Sequence, residues 1–188
     1  MPTCSNEVKG LAESGFQEVV LTGIHLSSYG IDNGGSLLEL ILKTMEVPGI
    51  RRVRLGSLEP RIITEEFVNA LKDQEKFCPH FHLSLQSGCD ATLKRMNRRY
   101  TAEEYYEKCV LLRENFDHPA LTTDVIVGFP GVRLRRNLQR LWLSSRKWPS
   151  TRHTFSNIPD EKEPRPPSWK IRFQRAQDEA ERYPPEAG

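Results

Sequence analysis

The stretch TAEEYYEKCVLLRENFDHPALTTDVIVGFPG, residues 101–131, decides the fold class. Thr101 followed three residues later by Glu104 is a capping box, in which each side chain satisfies a backbone N–H at a helix start, so the spacing predicts a helix running to Glu114. Leu121 to Phe129 then reads as a short apolar run bounded by glycine, the pattern of a strand buried in a parallel sheet. A helix of ten or more residues feeding such a strand is part of a βαβ unit.

The same alternation extends back toward the N-terminus. Ser5 to Phe16 is predicted helical, with Val8, Leu11 and Ala12 on one stripe and Gly15 as its stop. Gln17 to Leu26 contains the apolar run Val19-Val20-Leu21 and reads as a strand. Ser36 caps a helix reaching Met45, with Leu37, Leu38, Ile41 and Leu42 at helical spacing. Arg51 to Leu58 is a second strand, Thr64 to Gln74 a helix capped by Thr64, and Phe81 to Leu85 a third strand. With Leu121 to Phe129 that makes four strands alternating with helices. Such alternation implies right-handed crossovers and a parallel α/β sheet or barrel.

In parallel α/β folds ligands bind beyond the carboxyl ends of the strands. Here those are Thr22–Gly30, Gly56–Pro60, Gln86–Asp90 and Gly128–Gly131, each containing Gly, Ser or Thr. Small residues let a backbone approach a ligand closely, and Ser57, Gln86 and Ser87 add hydrogen-bonding groups without bulk. Taken singly, each segment is equally what an ordinary βα turn contains.

Charge and composition change after Gly131. Residues 1–131 carry 14 Lys/Arg against 18 Asp/Glu, whereas residues 132–188 carry 13 against 7, and all three Trp and seven of the thirteen Pro lie in the second part. Two coincident steps mark a boundary, giving a folded unit over 7–131 and a basic tail over 132–188. The tail lacks a sustained period of 2 or 3.6 and carries a Pro-rich stretch at Pro159–Pro167, so it is expected to be disordered. No segment approaches the roughly 18 apolar residues that span a bilayer, and the N-terminus shows neither a basic nor an apolar leader region; a cytoplasmic location without membrane contact is the expectation. Cys4, Cys78, Cys89 and Cys109 are too scattered for a disulfide framework or a close-spaced metal knuckle, and the last three read as reduced thiols in or near a core.

Four strings carry a resemblance: LTGIHLSSYG (21–30), RLGSLEP (54–60), HLSLQSGCDATLKRMNRRYT (82–101) and TTDVIVGFPG (122–131). In order and spacing they resemble successive strand-end motifs of the methylthiotransferase branch of radical S-adenosylmethionine enzymes, over about residues 7–131. LTGIHLSSYG resembles the subgroup that adds a methylthio group to C2 of N6-threonylcarbamoyladenosine at position 37 of tRNA. The resemblance implies a partial radical-SAM (β/α) barrel, S-adenosylmethionine and four-iron (4Fe-4S) clusters as cofactors, and tRNA, with no DNA, as partner. It implies that Thr22 and Gly23 lie at the methionine end of the cofactor, that Ser57, Glu59 and Gln86 border its carboxylate and ribose, and that Val127 and Gly128 run beside the adenine. Lys94, Arg95, Arg98 and Arg99, beside Asn97 and Tyr100, would contact tRNA phosphates. Without the family, the same run reads as a solvated helix end whose basic residues complement the dipole.

Two departures stand out. The family holds its cluster with three cysteines spaced C-x-x-x-C-x-x-C, and no such spacing occurs here; Cys4 alone cannot supply the ligands. In the family that motif follows the first barrel strand, upstream of where this chain begins, and a cluster-bearing N-terminal domain is missing as well, so the expectation is a fragment inactive by itself. After GFPG the family continues Glu-Thr-Glu-Glu, whereas this chain reads Val132-Arg133-Leu134-Arg135-Arg136. Codons permitted for these residues (GTG AGA CTG AGG AGA) encode Glu-Thr-Glu-Glu once two bases are dropped. In the same phase residues 143–164 become FIEKVAFYETHIFKYSRRKGT, a family-like segment. Residues 132–188 are therefore expected to be out of frame.

Two other functions compete: a non-catalytic tRNA- or protein-binding fragment using Arg95, Arg98, Arg99 and the basic tail, and an unrelated (β/α) enzyme. The latter needs an acid–base pair among Glu59, Asp90 and Asp124, the only carboxylates near the strand ends, and no Lys or nucleophile stands beside them in the sequence.

Overall fold

The computed structural model describes residues 4–23, 26–30, 34–127, 129 and 151–157, with Val127 and 151–157 as backbone only. The capping box forms as read: Glu104 N–H donates to Thr101 Oγ1 at 3.1 Å and Thr101 N–H to Glu104 Oε2 at 2.6 Å, opening a helix over Ala102–Asn115. Ser36 and Thr64 cap in the same way, each hydroxyl accepting the N–H three residues on. In chain order the elements are α1 (Cys4–Glu13), β1 (Glu18–Leu21), α2 (Leu37–Glu46), β2 (Arg52–Leu55), β3 (Ser57–Leu58), α3 (Glu65–Leu71), β4 (His80–Leu83), α4 (Asp90–Arg95), α5 (Ala102–Asn115), β5 (Ala120–Val127) and β6 (Thr151–Asn157).

Every strand pair is parallel. The ladders β1-β2 and β3-β4-β5-β6 are stitched together because β3 follows β2 after one residue and Val53 bridges Phe77. The result is the mixed α/β architecture of a partial barrel with sequential strand order, as right-handed helical crossovers dictate.

One expected strand, Arg51–Leu58, is divided at Gly56, and the division rephases it. Val53 and Leu55 are buried, so a regular strand would also bury residue 57; instead Ser57 is exposed and Leu58 is 1% exposed. Gly56 is thus one extra residue, and a one-residue slip exchanges the two faces of a strand. The slip sets Ser57 opposite His82 and Leu58 opposite Leu83.

The buried face collects Val19, Val53, Leu55, Leu58, Phe81, Leu83, Leu85, Leu121 and Val125, packed with Ile41 of α2, Phe67, Val68 and Leu71 of α3, and Tyr105, Cys109 and Leu112 of α5. Phe77, Phe81 and Phe116 meet at centroid distances of 5.1–6.1 Å. The alternate residues Glu18, Arg52, Arg54, His80, His82, Thr122 and Asp124 give the opposite face a polar character.

Asp90–Arg95 is helical, in keeping with the helix-end reading of the basic run Lys94–Arg99, although no side chain caps it. One finding corrects the sequence reading. Within the tail expected to lack structure, Thr151–Asn157 pairs with β5 through seven consecutive residues, Leu121↔Thr151 to Val127↔Asn157. β5 would otherwise present an open edge of N–H and C=O groups, and TRHTFSN supplies β-branched and aromatic residues without Pro. The rest of 132–188 lies outside the described residues.

Candidate functional site

The strand ends converge through backbone contacts. Gly56 N–H donates to Leu21 O at 2.8 Å, and a Cβ at position 56 would sit 3.1 Å from Thr22 Oγ1. Thr22 and Ser57, both exposed, are therefore held on adjacent strand ends. The loop after β1 is tied to the end of β3 because Glu59 N–H donates to Ser27 Oγ at 3.0 Å. A Cβ at Gly23 would meet Leu26 N at 3.8 Å and Leu26 Cα at 3.9 Å, ordinary contact.

Gln86 closes the group. Its φ of 64° lies in the left-handed region, which is uncommon for a residue with a Cβ. Its N–H donates to Asp124 O and its carbonyl accepts from Ile126 N–H, both at 2.9 Å, so it bridges Val125. His82 pairs with Thr122, an offset of forty residues, whereas Gln86 pairs with Val125, one fewer. β4 therefore slips by one residue along β5 at its carboxyl end. The side-chain Oε1 of Gln86 is buried with no hydrogen-bond partner among the described residues. Such an acceptor costs free energy unless a ligand N–H or O–H meets it.

The surrounding polar groups have defined tasks. Ser87, 3% exposed, spends its hydroxyl on Cys89 N–H at 3.3 Å, which stabilises the turn. The Tyr100 hydroxyl donates to Ser84 O at 2.5 Å with Leu85 O at 3.5 Å; burial pushes its pKa up to about 12, Arg98 opposing and Glu59 adding to the shift. Arg98 Nη1 lies 3.6 Å from Glu59 Oε1, so Arg98 belongs to the rim of this site. Arg95 and Arg99 are exposed, as is Lys94, around the C-terminal end of α4, and Asn97 ends that helix at φ 56°. Val127 is the last residue of β5, and Gly128 lies outside the described residues.

Each of the three carboxylates has a partner of its own. Asp90 Oδ1 accepts Ala102 N–H at 2.9 Å and pins the start of α5, Asp124 faces His82, and Glu59 faces Arg98.

A polar row on the sheet was missed from sequence. His82 Nδ1 lies 2.9 Å from Thr122 Oγ1 and its Nε2 3.3 Å from Asp124 Oδ2, while His80 Nε2 reaches the same hydroxyl at 3.4 Å. Burial first, then Arg54 and His82, lower the His80 pKa. Glu18 pairs with Arg52 at 2.8 Å and Arg54 at 3.3 Å. The signal was the alternation in HFHLS, which places His80, His82 and Ser84 opposite Phe81 and Leu83.

Among the described residues no three His, Cys, Asp or Glu side chains converge on a metal position. Cys89 and Cys109 are buried, and burial lifts the Cys109 thiol to about 11. No helix of the described residues is long and apolar enough to cross a membrane.

Residues 3–136 match the family model of the Radical SAM superfamily. The chain is 43% identical over 127 residues, 66% of its length and 26% of the relative's, to a tRNA-2-methylthio-N(6)-dimethylallyladenosine synthase of Acetivibrio thermocellus. A protein of the same name from a Thermoanaerobacter species is 37% identical over 82% of this chain and 36% of its own length. A threonylcarbamoyladenosine tRNA methylthiotransferase of Aquifex aeolicus is 46% identical over 66% of this chain and 30% of its own length. The matched chain thus spans about a quarter to a third of these relatives.

Proposed function

The chain belongs to the radical SAM superfamily, and from that premise we propose that its strand ends form part of the S-adenosylmethionine site of a tRNA methylthiotransferase. The carrying observation is the placement of Thr22, Ser57, Glu59 and Gln86 at the carboxyl ends of successive parallel strands, with a buried acceptor on Gln86 that has no partner among the described residues. The donor-rich ligand fits these acceptors: the ribose hydroxyls supply O–H groups to Gln86 Oε1, and the ammonium group suits the carboxylate of Glu59. Gly23 is assigned to the methionine end and the Val127–Gly128 backbone to the adenine, Gly128 lying outside the described residues. Bound there, S-adenosylmethionine supplies the methyl group and the adenosyl fragment of the family's chemistry. The residues present bind and orient it.

The four-iron cluster does not fit these residues, since no cysteine triad of the family spacing exists and no three potential ligands converge among the described residues. No step through a cluster is derived, and the 188 residues are read as unable to start radical chemistry alone. The relatives' names divide between dimethylallyladenosine and threonylcarbamoyladenosine activities. The assignment to C2 of N6-threonylcarbamoyladenosine rests on LTGIHLSSYG (21–30), and exposed Lys94, Arg95 and Arg99 are assigned to tRNA phosphates. A purely non-catalytic binding fragment has no observation of its own in support.

Titrating the chain with S-adenosylmethionine by calorimetry tests the proposal. Saturable binding, weakened about tenfold by Gln86→Ala through loss of one ligand hydrogen bond, is expected. Absence of saturable binding, or equal binding by the variant, overturns it.

A further inference from the structure

The left-handed turn at Gln86 is held by two hydroxyl groups from other elements. Where β4 slips against β5, regular ladder bonds cannot form, because Leu83 O and Leu85 N–H no longer face a single β5 peptide group. Thr123 Oγ1 takes that place: it accepts Leu85 N–H at 2.9 Å and donates to Leu83 O at 2.5 Å. Thr123 is fully buried, and its hydroxyl lies against Tyr105 of α5. From the other side the Tyr100 hydroxyl takes Ser84 O. Leu83 O, Ser84 O and Leu85 N–H, just before Gln86, are thus satisfied by side chains, and beyond the slip the backbone of Gln86 itself re-enters the ladder through Asp124 O and Ile126 N–H. Buried backbone groups are rarely left unpaired, so the slip needs these hydroxyls or an equivalent.

We infer that Thr123 and Tyr100 are positioning residues that fix the Gln86 turn and so aim its side-chain amide at the ligand. Neither residue touches the ligand. The positioning role stands on the strand geometry; that the ligand is S-adenosylmethionine rests on the function proposed above.

Amide hydrogen exchange on the full chain tests the inference, with Thr123→Val, Thr123→Ser and Tyr100→Phe. Thr123→Val keeps the shape and loses the hydroxyl. Loss of its two buried hydrogen bonds should accelerate exchange at least about tenfold at Leu85, Gln86 and Ile126, with Val53 unchanged and Thr123→Ser restoring protection. Acceleration confined to Leu85 would show a local ladder bond only and overturn the positioning role. Tyr100→Phe removes one hydroxyl and keeps the buried ring, so it carries the test if Thr123→Val does not fold; unchanged exchange at Gln86 and Ile126 in that variant refutes the inference. In the parent, a scalar coupling showing extended φ at Gln86 also refutes it. Added S-adenosylmethionine should shift the Gln86 side-chain amide resonances in the parent and in Thr123→Ser, but much less in Thr123→Val. A parent that shows no shift refutes the cofactor assignment, while the exchange data still decide the role of Thr123.

Discussion

Replacing Gly56 with Ala tests whether the register change at the β2–β3 junction depends on the absence of a side chain. A Cβ there would lie 3.1 Å from Thr22 Oγ1, 3.3 Å from Thr22 Cβ and 3.4 Å from Leu21 O. Two of these neighbours are fixed by the strand, whose Leu21 carbonyl already accepts Gly56 N–H at 2.8 Å. Overpacking of this kind costs about 1–3 kcal/mol. The reduced freedom of the unfolded chain returns about 0.4–1 kcal/mol, leaving a net loss of about 1–2 kcal/mol. With a urea slope of about 2 kcal/mol/M for a domain of this size, the midpoint should fall by about 0.5–1 M. Thr22→Ala removes the nearest oxygen but not the Cβ, so the double variant should recover about half, a coupling of at least about 0.5 kcal/mol. If Gly56→Ala leaves the midpoint unchanged, or if its loss is identical in the Thr22→Ala background, the close-approach argument is wrong.

Two other perturbations address the polar face and the cysteines. The folded-state pKa of His80 is lowered, so the unfolded chain binds this proton more readily; stability should be intact above the ordinary value of 6.5 and decline as pH falls below it. Urea midpoints at pH 7.5 and 5.5 should therefore differ more in the parent than in His80→Gln, and an unaltered difference would discount His80. Anaerobic incubation with iron and sulfide should leave the isolated chain without a stoichiometric four-iron cluster, as Cys89 and Cys109 are buried and the Cys109 thiol is held well above the range where thiolate forms; a stoichiometric cluster by iron analysis and absorbance would refute the ligand argument.

Elements fixed by local chemistry were legible in the sequence. Ser36, Thr64 and Thr101 each accept the N–H three residues on, because a cap involves one side chain and one turn of its own chain. The apolar runs located β1, β4 and β5 within a few residues. β6 was not legible because it depends on the open edge of β5, a tertiary fact, and only the basic end of α4 was, because that helix is six residues long with Cys89 making no side-chain cap bond. Asp90 resembled a site carboxylate in sequence and is instead committed to Ala102 N–H, a partner twelve residues away.

The candidate site lies where strand regularity fails, which explains why its residues were legible in kind but not in cause. Both register slips fall at carboxyl ends, at Gly56 and at Gln86. The first leaves a trace in sequence, since glycine inside a strand pattern is a known sign of a bulge or a close approach. The second leaves none: a left-handed Gln carries a steric cost of about 1–2 kcal/mol, and nothing local in LSLQSG relieves it. Relief comes from Thr123, thirty-eight residues beyond Leu85, and from Tyr100. Thr123 looked like an ordinary β-branched strand residue because its methyl group fills the core as valine would. Its hydroxyl has meaning only once β4 and β5 are out of step, and that same misalignment turns a buried amide toward the ligand.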